Sequence, residues 1–106
     1  MKWGEFWLAD LNGGVGSEQS GFRPVVIVQN DIGNRYSATT IVCPLTTKEK
    51  NYNATHITVG CLGRTSFIMC EQMRVIDKSR LRKFLMAIPE EDAKALKEKL
   101  RITLNI

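Results

Sequence analysis

The sequence has few of the residues that form metal sites or disulfide frameworks. It contains one histidine, His56, and three cysteines, Cys43, Cys61 and Cys70, which are far apart and include no C-x-x-C pair. We therefore expect no zinc site and no other metal or cofactor. Cys43 and Cys70 lie within apolar runs, where a free cysteine usually packs as a small hydrophobic residue, so we expect buried thiols.

Long apolar runs are also missing. No run approaches the roughly 18 apolar residues that indicate a transmembrane helix, and residues 1–5 lack the apolar segment of a signal peptide. The sequence therefore predicts a cytoplasmic protein without membrane association. With 106 residues, 43% of them hydrophobic, the chain is expected to form a single domain, residues 1–106, around one compact core.

Positive charge is in excess only in the second half of the chain. Residues 1–53 hold five Lys/Arg and five Asp/Glu, while residues 54–106 hold ten and six, which gives the net charge of +4. A surplus of this size is compatible with a polyanionic partner such as nucleic acid, but it does not identify one. Five of these cations form what we call the basic cluster: Arg74, Lys78, Arg80, Arg82 and Lys83.

A glycine-rich stretch, Gly13–Pro24, is the segment around which the chain is organised. Its glycines and polar residues predict a flexible loop, because glycine takes backbone conformations that other residues avoid. Arg23 ends the loop, directly before Pro24 and an apolar run, Val25–Val28, that predicts a buried strand. The loop lacks the Gly-Lys-Ser/Thr ending of a P-loop, so a nucleotide cradle is not expected. Arg23 lies where a loop meets a stiff scaffold, a common place for binding and catalysis.

The residue pattern predicts several short strands and two helices. The expected strands are Trp3–Leu11, Pro24–Gln29, Ala38–Leu45, Thr55–Val59 and Ser66–Ile76, with a turn at Asn30–Asn34. A short helix is expected from Asp77 or Ser79 to Leu85, and an amphipathic helix with a weak N-cap from Pro89 to Leu104. Pro44 cannot donate a ladder hydrogen bond, so it is expected at an edge or near a strand end. Together these elements predict a small, curved antiparallel sheet or open barrel with helices on one side.

Three segments of the sequence resemble one protein family. They are Gly16–Asn34 (GSEQSGFRPVVIVQNDIGN), Pro44–Thr46 (PLT) and Ser66–Leu81 (SFIMCEQMRVIDKSRL). They resemble the MazF/PemK (Kid-like) toxins of bacterial type II toxin–antitoxin systems, and the likeness extends over nearly the whole chain. The resemblance implies a mainly β (α+β) fold. This is an SH3-like barrel of five to seven short antiparallel strands, with a short helix and a C-terminal amphipathic helix.

The resemblance also implies an activity and partners. Such toxins are mRNA interferases, sequence-specific endoribonucleases that cut single-stranded mRNA without a metal ion or the ribosome and so inhibit translation and growth. They are homodimers, kept silent by a MazE-like antitoxin whose disordered acidic C-terminal tail lies in the RNA groove. The alternative is a non-catalytic toxin or binding module on the same fold, directed at DNA gyrase or binding RNA or protein.

Site residues follow from the family pattern. The catalytic arginine of the family precedes the proline after the G-S-E-Q loop, which is Arg23 here, and the catalytic threonine ends the third strand, at Thr46. Candidate proton acceptors are Glu18 and Glu71. The residues expected to contact RNA are Ser17, Glu18, Gln19, Thr47, Lys48, Asn53 and Gln72. The loop after Thr46 matches the family only loosely, so no base preference is carried over.

Elementary chemistry accounts for part of this assignment. Metal-free RNA cleavage uses the 2′-hydroxyl as nucleophile and leaves a 2′,3′-cyclic phosphate and a 5′-hydroxyl, so it needs a proton acceptor, a proton donor and charge stabilisation. A single histidine excludes a two-histidine mechanism. Arg23 can hold two phosphate oxygens while Thr46 donates another hydrogen bond. The resemblance implies an acid role for the arginine and leaves room for a base role. A guanidinium is effectively never deprotonated, so the base stays open between Glu18 and Glu71.

Each of these residues also has a structural interpretation. Arg23 could pair with a carboxylate such as Glu18 or Asp31. Thr46 could be an ordinary strand-end threonine, and Thr47 is an adjacent candidate for its role. The choice between these interpretations depends on whether the fold brings Arg23 and Thr46 together.

The remaining polar positions have two interpretations as well. The pair Glu71-Gln72 could face solvent within a strand or face a ligand, and His56 is expected to be a surface or hydrogen-bonded strand residue. The basic cluster could be the solvated face of a helix or could contribute to RNA or antitoxin binding. The aromatic residues that could stack on bases, if exposed, are Trp7, Phe22 and Tyr52.

Overall fold

The computed structural model describes residues 1–13, 16, 18, 20–49 and 54–106. Its strands are β1 (Glu5–Asp10), β2 (Phe22–Ile27), β3 (Thr39–Thr46), β4 (His56–Val59), β5 (Ser66–Met69), β6 (Arg74–Asp77) and β7 (Leu81–Ala87). Its helices are α1 (Asp31–Tyr36) and α2 (Glu90–Leu104), and short 3₁₀ turns cover Cys70–Gln72 and Lys78–Arg80. The predicted fold class, mainly antiparallel β with a short helix and a C-terminal helix, is confirmed.

All seven strands belong to one antiparallel sheet, in which β3 pairs with three other strands. The strand order is β4-β5-β3-β2-β1-β7, and β6 pairs with β3 outside this path. On one side β3 pairs with β2; on the other its first half pairs with β6 and its last residues with β5. The last two residues of β3 are therefore paired with β5, directly after the segment that pairs with β2, which fixes their positions.

Hydrophobic packing occurs on both faces of the sheet, and β2 takes part in both. Val26 belongs to one buried cluster, together with Phe6, while Val25 and Ile27 belong to the other. Successive side chains of a strand point to opposite faces, so a strand covered on both faces is continuously apolar. This explains the run at Val25–Val28 and confirms the prediction of a buried strand.

The C-terminal helix α2 covers the first of these clusters. Leu96 is fully buried in the cluster and Leu100 packs against it. No side chain caps the N-terminus of α2 at Pro89, as predicted, whereas the acidic residues of its first turn favour the helix dipole. Neither helix in the described part of the chain is long and apolar enough to cross a membrane.

The turn predicted at Asn30–Asn34 is wrong, because α1 forms there. Asn30 caps the helix by accepting the Gly33 N–H at 2.8 Å. A side chain at Gly33 would place its Cβ 2.9 Å from the Gln29 side chain, which would have to shift, so the glycine allows close packing here. Tertiary hydrogen bonds, including Thr40 Oγ1 to Asn34 Oδ1 at 2.8 Å, outweigh the low helix propensity of this segment.

The predicted long strand Ser66–Ile76 is divided, and the short helix predicted through Leu85 is wrong. The 3₁₀ turn at Cys70–Gln72 separates β5 from β6, which pair with different parts of β3. Asp77 does cap a turn, by accepting the Ser79 N–H, but the chain then enters β7 because it pairs with β1. Sheet pairing at the edge of β1 outweighs the local helical pattern.

Pro44 lies two residues before the end of β3, as the end-of-strand prediction required, but not at a sheet edge. It is opposite Val25 of β2, and on its other side it falls between the segments of β3 that pair with β6 and β5. A proline has no N–H to donate, so this position fits the interval between two pairing partners.

Candidate active site

Arg23 lies at the start of β2, which positions it in the site. Gly21 has a positive φ of 81°, which glycine adopts without strain, and its carbonyl accepts the Leu11 N–H at 2.9 Å. Two residues later, Arg23 is paired with Ala9 of β1. The Arg23 Nε–H donates to the Ser20 carbonyl at 2.7 Å, a bond that uses one of the five N–H donors of the guanidinium.

The structure brings Arg23 and Thr46 into one cleft. The register of β2 and β3 pairs Val25 with Pro44, and Arg23 and Thr46 each lie two residues beyond this pair at the same end of the two strands. The cleft has a volume of about 110 Å³, and we call it the arginine cleft. Its lining residues are Phe22, Arg23, Pro24, Leu45, Thr46, Thr47 and Ser66.

Thr46 is nearly buried, with 5% of its surface exposed, at the floor of this cleft. Its Oγ1 accepts the Lys48 N–H at 3.2 Å, so the hydroxyl hydrogen can be donated to a ligand. Thr47 lines the cleft, and both Thr47 and Lys48 are exposed. Phe22 is 61% exposed and lies at the rim, where an aromatic ring can stack on a base. Trp7 is half-buried, packs edge-to-face on Phe84 and does not line this cleft.

A second cleft of about 150 Å³ lies beside Pro44, and we call it the glutamate cleft. Pro44 and Thr46 are two residues apart on β3, so their side chains share one face of the strand and the two clefts are neighbours. The residues that line the glutamate cleft are Glu18, Pro44, Glu71, Gln72, Met73 and Arg74. The cleft thus contains both candidate proton acceptors, Glu18 and Glu71, and two predicted RNA contacts, Glu18 and Gln72.

Glu71 is held by two side chains from the start of β4. The Thr55 hydroxyl donates to Glu71 Oε1 at 2.8 Å, and His56 Nε2 lies 2.7 Å from Glu71 Oε2. The His56 side chain is 4% exposed and that of Glu71 is 28% exposed. His56 is therefore hydrogen-bonded, as predicted, but it is buried rather than on the surface. In the described part of the chain, no group of three or more His, Cys, Asp or Glu side chains could hold a metal ion.

Arg74 contributes a half-buried cation to the glutamate cleft. Its Nη1 is buried and has no hydrogen-bond partner among the residues that the structure describes. A buried N–H without a partner costs roughly 1–3 kcal/mol, and more on a charged group, so this nitrogen is a strong donor for a ligand that enters the cleft. The sequence indicated Arg74 only as one member of the basic cluster.

The rest of the basic cluster does not form one surface. Lys78 donates to the carbonyl of Asn34. Arg80 donates to the carbonyls of Asp10 and Asn12, at 3.1 Å each, and Arg82 lies 3.5 Å from a carboxylate oxygen of Asp10. Arg80 and Arg82 therefore fasten the 3₁₀ turn and β7 to the end of β1, and the interpretation of the cluster as one face of a helix is wrong.

The cysteines take no part in the site. Cys43 and Cys70 are fully buried, as predicted, while Cys61 is half-buried, and all three are free thiols. A hydrogen bond with Cys70, together with burial, raises the pKa of the Cys43 thiol. Burial likewise raises the pKa of the Cys61 thiol. Because the thiolate is the reactive form, neither thiol is suited to act as a nucleophile.

Some predicted site residues lie outside the described part of the chain. These are Ser17, Gln19 and Asn53, together with the stacking candidate Tyr52. Sequence reasoning missed the partnership of Thr55 and His56 with Glu71, which are about 15 positions apart along the chain. The only signal was a lone histidine at the start of a strand, which does not identify its partner.

The chain is similar to toxins of one family over almost its whole length. The model of the family described as PemK-like, MazF-like toxin of type II toxin–antitoxin system matches residues 2–104. Endoribonuclease EndoA of Bacillus subtilis (strain 168) is 41% identical over 111 residues, covering 100% of this chain and 96% of that protein.

Solved structures share the fold. MazF from Deinococcus radiodurans superposes with a TM-score of 0.86 at 23% identity, covering 100% of this chain and 97% of that one. An endoribonuclease from a mycobacterial species, solved with its cognate antitoxin, gives a TM-score of 0.84 at 20% identity, covering 100% of this chain and 96% of that one.

Proposed function

Because the chain belongs to the PemK-like, MazF-like toxins of type II toxin–antitoxin systems, we propose that it is an endoribonuclease. Its substrate is single-stranded mRNA, cut at specific sequences without a metal ion or the ribosome. Cleavage of messages inhibits translation and growth. The relative from Bacillus subtilis, 41% identical to this chain, is named an endoribonuclease, and this supports the assignment of the activity.

The observation that carries the proposal is the presence of Arg23 and Thr46 in one cleft. The guanidinium presents planar N–H donors that match two phosphate oxygens, and the Thr46 hydroxyl supplies a further donor from a buried, fixed position. Donors held in place before reaction stabilise the charge that develops on the phosphorus oxygens without reorganisation. Arg23 and Thr46 are therefore the proposed catalytic residues.

The reaction that fits these groups is attack by the neighbouring 2′-hydroxyl. Its proton passes to a carboxylate of the glutamate cleft, Glu18 or Glu71, while the O2′–P bond forms and the P–O5′ bond breaks. The leaving 5′-oxygen takes a proton from water. The products are a 2′,3′-cyclic phosphate and a 5′-hydroxyl, and no metal ion is needed because Arg23 supplies the positive charge.

RNA beyond the reacting phosphate is proposed to contact a set of polar residues, three of which line the two clefts. The residues with this proposed role are Ser17, Glu18, Gln19, Thr47, Lys48, Asn53 and Gln72. Glu18 and Gln72 line the glutamate cleft, and Thr47 lines the arginine cleft. Unpaired bases expose their edges, so such polar side chains can read them.

The biological setting follows the family. We propose that a MazE-like antitoxin with an acidic C-terminal tail silences the toxin by occupying the same groove, that the chain acts as a homodimer, and that it acts in the cytoplasm. The net charge of +4 supports an acidic partner. The mycobacterial relative of the same fold was solved with its cognate antitoxin.

The proposal is tested by incubating the purified protein with a long single-stranded RNA in EDTA. We expect discrete fragments with cyclic phosphate ends, and we expect Arg23→Ala to lower the rate at least about 100-fold, as loss of a charge-stabilising donor does in other enzymes. Arg101→Ala, at an exposed position of α2, is the matched control and should cut at the normal rate.

Two outcomes contradict the proposal. The first is intact RNA after incubation with folded protein, which points to a non-catalytic toxin or binding module. The second is a normal rate for Arg23→Ala, because a nuclease that does not use Arg23 does not use the arginine cleft.

A further inference from the structure

The carboxylate of Glu71 is constrained at both of its oxygens. It lies in the 3₁₀ turn after β5, and donors from Thr55 and from His56 at the start of β4 bind one oxygen each, at 2.8 and 2.7 Å. The backbone adds a third link, because the Cys70 N–H donates to the Thr55 carbonyl at 3.0 Å. We call Thr55 and His56 the carboxylate clamp.

The proton arrangement of the clamp follows from the acceptor. A carboxylate has no hydrogen to donate, so Nε2 of His56 must carry the hydrogen that the 2.7 Å contact shares. Both donors come from nearly buried residues, with 4% and 8% of the Thr55 and His56 surfaces exposed. The Glu71 side chain keeps 28% of its surface exposed. The fixed donors thus lie inside the protein, while the carboxylate remains open to the cleft.

We infer that Thr55 and His56 are positioning residues, which hold Glu71 in the orientation that accepts the proton of the attacking 2′-hydroxyl. The inference rests on the proposed function and decides between its two candidate acceptors in favour of Glu71. A free glutamate rotates about three side-chain bonds, whereas donors on both oxygens fix the carboxylate plane. Each oxygen has a second lone pair, so the clamp leaves room for the substrate hydroxyl.

The clamp contributes to catalysis by fixing the orientation of the Glu71 carboxylate. Proton transfer requires the acceptor within hydrogen-bond distance of the hydroxyl, and small misplacements of a catalytic group lower rates strongly. Glu71 lies next to Pro44, two residues from Thr46 on the same face of β3, so a clamped carboxylate keeps a constant position relative to the arginine cleft. A purely structural clamp would instead fasten the turn to β4 and would affect stability alone.

The test uses matched pairs of variants in the full-length protein. His56→Gln keeps an N–H donor, while His56→Phe removes it; Thr55→Ser keeps the hydroxyl, while Thr55→Val removes it with almost no change in shape. We measure kcat and KM for cleavage of a short single-stranded RNA, and the thermal midpoint of each variant. Thr55→Val serves even where His56→Phe does not fold, because valine matches threonine in volume.

The clamp predicts that the substitutions change kcat much more than KM. His56→Phe and Thr55→Val should lower kcat about 10-fold or more with KM changed less than about 3-fold, and the donor-keeping variants should recover most of the rate. In a Glu71→Gln background, the same substitutions should have no further effect on kcat, because the clamp acts only through Glu71.

Three results overturn the inference. One is a normal kcat in both donor-removing variants. Another is a loss of kcat that is the same in the donor-keeping and donor-removing variants and follows their thermal midpoints. The third is an undiminished effect of the clamp variants in the Glu71→Gln background. Failure of the proposed function looks different, because then the wild-type protein itself leaves the RNA intact, and the clamp's role in catalysis is overturned with it.

Discussion

The two neighbouring clefts hold their charged groups in opposite ways. In the arginine cleft, Arg23 is held at its Nε, which donates to the Ser20 carbonyl at the stem of the guanidinium. In the glutamate cleft, both oxygens of Glu71 are bound by side chains, one from Thr55 directly before β4 and one from His56 at its start. The comparison suggests different roles for the two groups. The Arg23 guanidinium adjusts its position to the phosphate, whereas the Glu71 carboxylate keeps one fixed position.

The comparison also shows that the functional groups lining a cleft, rather than its volume, identify the candidate site. A larger cavity, of about 680 Å³, lies between the N-terminus and α1 and is lined by residues such as Met1, Ile32 and Tyr36. The arginine and glutamate clefts are smaller, at about 110 and 150 Å³. They nevertheless contain the guanidinium, hydroxyl and carboxylate groups that phosphodiester cleavage requires.

After that of Arg23→Ala, the largest effect in this comparison is expected at Thr46. If the arginine cleft holds the reacting phosphate, Thr46→Val removes a donor to a charged oxygen, a bond worth roughly 1.5–3 kcal/mol. We expect kcat to fall about 10- to 100-fold, while KM changes little. Single-turnover cleavage of a short RNA measures this effect.

Thr46→Ser is the control for that experiment, because it keeps the hydroxyl at the same Cβ and should retain most of the rate. Thr47→Val is a second control at the adjacent, exposed position of the same cleft. A larger loss for Thr47→Val than for Thr46→Val would assign the catalytic hydroxyl to Thr47 and would contradict the placement of Thr46.

An intermediate effect is expected at Arg74, and it should appear in KM rather than in kcat. The buried Nη1 of Arg74 has no partner in the described part of the chain, so a bound RNA group would satisfy it. Arg74→Gln should raise KM about 10-fold, which corresponds to roughly 1.4 kcal/mol. A fall in kcat with unchanged KM would place Arg74 in the chemical step. It would contradict the proposed difference in role between the two clefts.

Much of the fold could be predicted from the sequence because its signals were local and strong. The continuous apolar run of β2 reflects packing on both faces, and the spacing around Leu96 reflects burial of one side of α2. Family resemblance, rather than composition, pointed to Arg23 and Thr46. The structure then placed both residues in one cleft, which supports their proposed role without testing it.

The remaining errors came from interactions between distant segments. The α1 segment has weak helix formers, but Asn34 is held by Gln29 and Thr40, which no local pattern reveals. The segment after Asp77 has helical spacing, yet pairing with β1 makes it a strand. The clamp of Glu71 joins residues from β4 and from the turn after β5, so only the folded chain displays it.

The smallest effect is expected at the rim of the arginine cleft, where Lys48 is exposed directly after the two threonines. If RNA passes over this rim, Lys48 neutralises one phosphate, and Lys48→Ala should lower the slope of log affinity against log salt by about 0.7 while weakening binding only a few-fold. Fluorescence anisotropy with a 2′-O-methylated RNA measures binding without cleavage. Lys94→Ala, on the exposed face of α2 beside Glu90, is the control and should leave the slope unchanged. An equal change of slope in both variants would mean that the electrostatic attraction for RNA is spread over the whole protein surface. It would contradict the prediction that the RNA passes over the rim of the arginine cleft.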